Sequence, residues 1–333
     1  MERGPYPAGP EDKSRGELEP EALEEPEVRS EKVGSDVYPF GPKAATEDLG
    51  WAGRLARALG RGPLHAAIIS VCVLWMIPTL GLFVSSFRER QAITRTGWWE
   101  AFTTPAEFTL QNYEQVLTSQ GMGQAFVNSV IITVPATLLT LLVAALAAYA
   151  FAWMPLPGRN VWFLLVVALL VVPLQLTLIP VLRLFAELGL TGTYWGIWLA
   201  HAAYGLPLGV FLLRNFFVAL PKDLLESAFL EGAGHWTAFS RIVLPLSVPS
   251  LAALGIFQFL WVWNDLLIAL VYLGGTRDVA PMTVVISNLV SSFGTEWHLL
   301  TSAAFISMML PLVIFFALQR YFVQGILAGA VKG

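Results

Sequence analysis

The sequence predicts an all-α membrane protein with six transmembrane helices, and three observations lead to this fold class. Of the 333 residues, 56% are hydrophobic and only 13% are charged, whereas ordinary globular domains are roughly 25% charged. Six apolar runs are each long enough to cross a bilayer core, which requires about 20 residues per helix. Backbone groups in lipid must be hydrogen-bonded internally, so these runs must be helices. The composition excludes a typical soluble enzyme.

The six apolar runs follow one another after residue 65. They are Ala66–Phe87, Ala125–Trp153, Val161–Arg183, Tyr194–Phe217, Pro249–Leu273 and Leu299–Gln319. Pro173 and Pro180 interrupt the third run. Because prolines free carbonyl groups that neighbours must satisfy, we expect this helix to bend around a cavity. Gly205 and Gly209 in the fourth run favour close packing of helices.

Charge divides the chain into an acidic N-terminal segment and a mildly basic body. Residues 1–50 contain 13 acidic and 6 basic residues, a net charge of −7, while the remainder carries +3. A proline-rich segment of this kind cannot bury enough apolar surface to offset its ordering entropy. We therefore predict a disordered acidic cytoplasmic extension over 1–50, and a regulatory or partner-binding role for it stays open. A basic juxtamembrane segment, 51–65, then precedes a six-span domain, 66–333.

The distribution of basic residues predicts the orientation in the membrane. Arg54, Arg57 and Arg61 lie immediately before the first run, and cytoplasmic segments carry an excess of such residues. Counted from residue 51 with alternating segments, nine Lys or Arg fall inside and five fall outside. We expect both termini in the cytoplasm.

A polar stretch at about 218–248 separates the fourth and fifth runs. Pro221 can begin a short helix, because its missing N–H needs no partner in the first turn. Gly232 and Gly234 can supply the positive φ that ends a helix, and Pro245 is expected to stop a second one. The alternative, an amphipathic helix lying on the membrane surface, is less favoured because such helices usually carry a basic polar face and this one is acidic.

The spacing within this stretch resembles the cytoplasmic signature loop of ABC importer permeases. Glu226 is followed by Gly232 six residues later and by Ile-Val-Leu-Pro at 242–245. The resemblance implies the type I permease fold and a coupling helix at 222–240 that seats in a cleft of a cytoplasmic ATPase. Ser227 departs from the common Glu-Ala-Ala pattern by one small polar side chain. The residues that this resemblance assigns to ATPase coupling are Glu226, Ala228, Glu231, Gly232, Ala233, Leu244 and Pro245.

Further motifs resemble the maltose-type carbohydrate branch of that family. They are Phe-Thr-Leu-Gln-Asn-Tyr at 108–113, Leu-Gly-Leu-Thr-Gly-Thr at 188–193, Trp-Val-Trp-Asn-Asp at 261–265, Gln-Arg-Tyr at 319–321 and the C-terminal 329–333. The resemblance implies a subunit in the bacterial inner membrane that carries a sugar, an oligosaccharide or α-glucoside. Its implied partners are a second permease subunit, an ATPase dimer holding ATP and Mg, and an extracytoplasmic sugar-binding protein. An ion-coupled secondary transporter is the alternative.

The fifth run contains Asp265, the only acidic residue well inside a span. An intramembrane carboxylate is costly and is a functional candidate by default. Gln258, Trp261 and Asp265 fall on one face if the run is one helix, with Asn264 beside them. Aromatic, amide and carboxylate groups suit a sugar path, but a structural polar cluster between helices explains them equally well.

Other site classes find no support in the sequence. Cys72 is the only cysteine, so neither an internal disulfide nor a cysteine metal cluster is possible. The four histidines show no metal-ligand spacing, and no Gly-rich phosphate loop with Lys and Ser or Thr is present. We expect no catalytic residues, metal or cofactor in this chain, and membrane lipid rather than nucleic acid around it.

Overall fold

The computed structural model of the chain describes residues 51–103, 108–293 and 296–330. The predicted acidic extension, 1–50, lies outside the described residues. Within those ranges the chain is helical and contains no β-strand, only one isolated bridge between Arg88 and Phe108. The all-α prediction is therefore confirmed.

The described ranges contain fourteen α-helices, with short 3-10 segments at Trp98–Phe102 and Leu169–Val171 and a π segment at Phe239–Val243. The helices are α1 Trp51–Ser86, α2 Arg90–Arg95, α3 Gln111–Thr118, α4 Met122–Trp153, α5 Arg159–Ala168, α6 Leu174–Glu187, α7 Tyr194–Val218, α8 Lys222–Leu230, α9 His235–Ala238, α10 Leu244–Leu246, α11 Val248–Trp263, α12 Leu267–Leu273, α13 Met282–Phe293 and α14 Trp297–Ala330.

Four of these helices, α1, α4, α7 and α14, are long and apolar enough to cross a membrane within the described residues. Two bent helix pairs pass the same test together. The first joins Arg159–Val171 to Leu174–Glu187 at 103°, and the second joins His235–Leu246 to Val248–Trp263 at 75°. If each bent pair is counted as one span, the total is six, as predicted, although the second pair includes His235–Leu246 of the predicted polar stretch and ends at Trp263 instead of Leu273.

The core of the domain forms where α4 packs along α7. Gly209 lies so close to α4 that a Cβ there would be 2.9 Å from the Cβ of Ala144. Leu213 and Phe217, farther along α7, are fully buried. The small residues of the fourth span therefore permit close packing of helices, as the sequence predicted.

The third span bends as predicted. The helical stretch ends at Val171 and resumes at Leu174; Val172 between them is extended, because the ring of Pro173 disfavours α geometry in the preceding residue. Beyond the bend, a hydrogen-bonded chain of hydroxyls ties α6 to α7 and α12. It runs from Thr177 Oγ1 to Tyr204 OH at 2.9 Å and on to Tyr272 OH at 2.8 Å.

The prediction of one continuous fifth helix is wrong. Helix α11 ends at Trp263, and α12 begins only at Leu267. The side chain of Asn264 donates to the carbonyl of Leu260 at 2.8 Å, and Asp265 turns its carboxylate to the backbone of α12. Short polar side chains that bond to nearby backbone compete with helix continuation in this way.

Candidate functional site: the coupling loop and the polar cluster around His201

The first candidate surface is the coupling loop, which we define as residues 222–247. Helix α8 begins directly after Pro221, as predicted. It ends in a turn centred on Gly232, whose φ is +87°. The N–H of Ala233 donates to the carbonyl of Ala228 at 2.9 Å, and that of Gly232 to the carbonyl of Phe229 at 3.0 Å. This pair of bonds is the Schellman motif, in which a left-handed residue closes the helix.

Gly234 and Pro245 differ from their predicted roles. Gly234 has a φ of −76° and precedes α9 in extended conformation, so it supplies no positive φ. Pro245 does not stop the helix at its own position, because the helical stretch His235–Leu246 continues through it to Leu246. The break falls at Ser247, between α10 and α11.

Apolar side chains fix the coupling loop to the helical body. Leu225 is 1% exposed and belongs to one buried cluster with Phe239 and Val243 of the second half of the loop. Burying one such side chain fully contributes about 1.5–3 kcal/mol. Near the middle of the loop, Nδ1 of His235 lies 3.1 Å from the hydroxyl of Tyr149 on α4. The backbone of the loop is therefore held in place on both sides of its glycine turn.

The outer surface of the coupling loop is a mixture of acidic and apolar groups. Leu230 is 89% exposed and Trp236 is 70% exposed, at the two sides of the glycine turn. Glu226 and Glu231 are also exposed. Among the other residues assigned to coupling, Pro245 is exposed, while Ala228, Ala233 and Leu244 are half-buried. Large apolar side chains exposed at the glycine turn of the loop are typical of a surface that contacts another protein.

The second candidate surface lies at the break between α11 and α12. Here the carboxylate of Asp265 accepts the N–H of Ile268 at 3.2 Å and of Ala269 at 2.9 Å. Its backbone carbonyl accepts the hydroxyl of Thr283 on α13 at 2.6 Å. Asp265 thus organises the first turn of α12, which supports the structural interpretation of this carboxylate.

His201 on α7 joins three of the four residues predicted for the substrate path. Its Nε2 lies 3.8 Å from Oδ2 of Asp265, and its ring meets the ring of Trp261 edge to face at 6.2 Å between centroids. The amide of Gln258 donates to the backbone carbonyl of His201 at 3.3 Å. We call His201, Gln258, Trp261 and Asp265 the His201 cluster.

The members of the His201 cluster differ in exposure, contrary to the prediction of one common face. Gln258 is 4% exposed and His201 1% exposed, whereas Trp261 is 39% exposed. Asn264 is exposed beside Trp261. The face expectation is wrong for Asp265 because the helix ends before it. Sequence reasoning treated the fourth span as a packing helix and assigned no site role to His201; a histidine inside an apolar run was the available signal.

Comparison with known proteins identifies the family. Residues 140–328 match the model of the binding-protein-dependent transport system inner membrane component. The chain belongs to this family. It is therefore a multi-pass membrane component of a transport system, and family membership decides for the permease over the ion-coupled alternative.

Individual relatives agree with the family. The osmoprotective compounds uptake permease protein GgtD of Synechocystis sp. is 60% identical over 273 residues, 81% of this chain and 92% of that protein. The alpha-glucoside transport system permease protein AglG of Rhizobium meliloti is 52% identical over 69% of this chain and 62% of its own length. The arabinooligosaccharides transport system permease protein AraQ of Halalkalibacterium halodurans is 33% identical over 79% of this chain and 93% of that protein.

A solved structure supports the fold. It is a chain of a bacterial ABC transporter involved in the import of the acidic polysaccharide alginate, which matches with a TM-score of 0.66. The match covers 80% of this permease and 98% of that chain at 21% identity. At that identity the likeness concerns the fold alone, and it agrees with the predicted importer permease architecture.

Proposed function

We propose that this permease is a subunit of an ABC importer that carries a sugar or small glycoside, most specifically an α-glucoside, across the bacterial cytoplasmic membrane. The observation that carries the proposal is the 52% identity to a permease named for α-glucoside transport. A second relative, 60% identical, is named for the uptake of osmoprotective compounds. The exposed pair of Trp261 and Asn264 supplies an aromatic face and an amide, the groups that stack on sugar rings and bond to hydroxyls.

We further propose that the coupling loop transmits to the membrane helices the conformational change that ATP hydrolysis drives in a separate ATPase dimer. That dimer would hold ATP and Mg. The glycine turn and the buried Leu225 make the loop rigid, and Leu230 and Trp236 provide exposed apolar anchors beside it. Large side chains of this kind contribute most when a partner excludes water from them. Glu226 is exposed and would pair with a basic group at the rim.

The remaining proposed partners are an extracytoplasmic sugar-binding protein and a second permease subunit. The family description itself names dependence on a binding protein. The second permease is proposed from the resemblance of the sequence motifs to the carbohydrate branch of the family; α1, of whose most apolar stretch 6% is buried within the chain, is a surface on which it could pack. A partner helix or membrane lipid must cover the exposed apolar side chains of that helix.

Both termini are proposed to be cytoplasmic, on the basis of the nine inside and five outside basic residues. A test is available at two exposed positions. A phosphatase reporter, active only outside, should work when fused at Asp278 and fail at Gly234, whereas a cytoplasmic reporter should do the reverse. The opposite pattern would overturn the orientation and, with it, the coupling role of the loop.

The transport function is tested in a deletion strain of the native host supplied with low concentrations of radiolabelled maltose, an α-glucoside. Uptake should fall to background and return when the wild-type gene is restored. A parallel assay with radiolabelled arabinooligosaccharide separates α-glucosides from the cargo named for the more distant relative. Unchanged uptake of maltose in the deletion strain would reject the proposed substrate.

A further inference from the structure

The side chain of His201 makes no hydrogen bond to any part of the chain that the structure describes. Its Nδ1 is buried without a partner, and its Nε2 is 3.8 Å from Asp265, beyond the 2.7–3.2 Å range of an N–H···O bond. The residue is nevertheless 1% exposed. Its imidazole does contact another side chain, because its ring meets the indole of Trp261 edge to face.

The surroundings of His201 keep that ring in place. Gln258 reaches over from α11 and bonds to the backbone carbonyl of His201. The same amide lies against Gly205, one turn farther along α7, where a Cβ would be 2.4 Å from Oε1. Only a glycine allows this approach, so α7 and α11 meet closely at the level of His201. An imidazole between them has little freedom to move.

Exposure then separates the roles of the members of the cluster. His201 and Gln258 are too buried to touch a passing molecule, whereas Trp261 presents 39% of its surface. An edge-to-face contact between aromatic rings is favourable beyond the area that it buries. Such a contact favours one orientation of the exposed indole.

We infer that His201 is a positioning residue of the substrate path, whose ring holds the indole of Trp261 ready to stack on a sugar ring. This inference rests on the proposed function. A sugar that must first order a free side chain binds about threefold to tenfold less tightly, which corresponds to about 0.7–1.4 kcal/mol. His201 acts through Trp261 and does not touch the cargo itself.

The test uses the complete transporter in proteoliposomes, with maltose taken up per ATP hydrolysed as the main readout. His201→Ala removes the ring and should lower this ratio about threefold to tenfold, at an unchanged ATPase rate. His201→Phe retains an edge-to-face ring and should restore the wild-type ratio. In a Trp261→Ala background, His201→Ala should have no further effect, because the two residues act as one unit.

A second arm does not depend on the cargo. Because Cys72 is the only cysteine, Cys72→Ser gives a background in which Asn264→Cys can be labelled with a charged methanethiosulfonate. His201→Ala should change the labelling rate at Asn264→Cys at least threefold, and His201→Phe should not. Labelling of Arg277→Cys, in an exposed loop, is the control and should stay constant in both.

The outcomes are distinct. Failure of the wild-type transporter to take up maltose would reject the proposed substrate, and the labelling arm would still decide the role of His201. Equal losses in His201→Ala and His201→Phe, or a lower melting temperature with an unchanged uptake ratio and labelling rate, would overturn the inference and leave His201 as a packing residue.

Discussion

The coupling loop and the His201 cluster are both polar interruptions of an apolar chain, but their side chains are arranged in opposite ways. In the loop, the charged side chains are exposed and apolar Leu225 holds the backbone in place. In the cluster, polar Gln258 is buried and the aromatic Trp261 is exposed. In this chain, the role of a carboxylate or amide is therefore inferred from its burial and not from its residue type alone. Removing the carboxylate of Glu226 should cost little stability because water already solvates it. The carboxylate of Asp265, in contrast, accepts backbone N–H groups of its own chain.

The largest effect is expected from the glycine turn of the coupling loop. Gly232→Asp forces an L-residue into a φ of +87°, which costs about 1–2 kcal/mol, and adds a charge to the proposed ATPase contact. Uptake and co-purification of the ATPase should be lost while the protein remains in the membrane. The matched control is Gly234→Asp, which adds the same charge two residues away at a φ of −76° and with open space around the new Cβ. Equal damage from both variants would show that charge, not backbone conformation, matters.

The second effect tests the close approach of α7 and α11. Gly205→Ala places a Cβ 2.4 Å from the amide oxygen of Gln258, so this buried amide must move and lose its bond to His201. An unsatisfied buried amide costs about 1–3 kcal/mol, and the melting temperature should fall accordingly. Gly255→Ala on α11 is the control, because its new Cβ would meet Leu141 at 3.6 Å, an ordinary contact. A similar fall for both variants would contradict the packing argument.

The third effect asks which of the two interpretations of Asp265 holds. Asp265→Ala removes two hydrogen bonds to the first turn of α12 and should cost about 1 kcal/mol of stability. Asp265→Asn keeps one acceptor oxygen and should cost less. Uptake and melting temperature are measured on the same purified complexes. If Asp265→Asn melts like the wild type but transports poorly, the charge belongs to the sugar path and the structural interpretation is wrong.

The smallest effect is expected at Glu226. Its carboxylate is exposed, and an ion pair that keeps some solvent contributes about 1 kcal/mol or less. Glu226→Ala should therefore reduce uptake only modestly and leave the complex intact, and the reduction should shrink further at high salt. Loss of uptake as complete as in Gly232→Asp would mean that Glu226 is buried by the ATPase, and the assignment of it to the rim would be withdrawn.

Local sequence signals predicted the structure of the coupling loop better than the break between α11 and α12. The helix start after Pro221 and the Schellman glycine at 232 follow from rules that act within a few residues. The end of α11 does not follow from such rules, because an apolar run with one Asn-Asp pair is equally consistent with a continuous helix. Besides the local bonds of Asn264 and Asp265, the break is joined by Thr283, which donates to the carbonyl of Asp265 from 18 residues away, a contact that no local pattern indicates.

Hydropathy, proline and glycine act locally, so the amino-acid sequence alone was enough to predict a helical membrane chain with a signature loop. Gly205 and Gly209 predicted close packing for α7, but the sequence could not say how differently α1 and α7 are buried, since each contains an apolar span of 25 residues. Tertiary structure decided that difference: 6% of the most apolar stretch is buried in α1 and 56% in α7. The physical reason is that lipid tails and protein interiors are equally apolar, so hydropathy places a helix in the membrane but only small residues and side-chain contacts determine which helices it packs against.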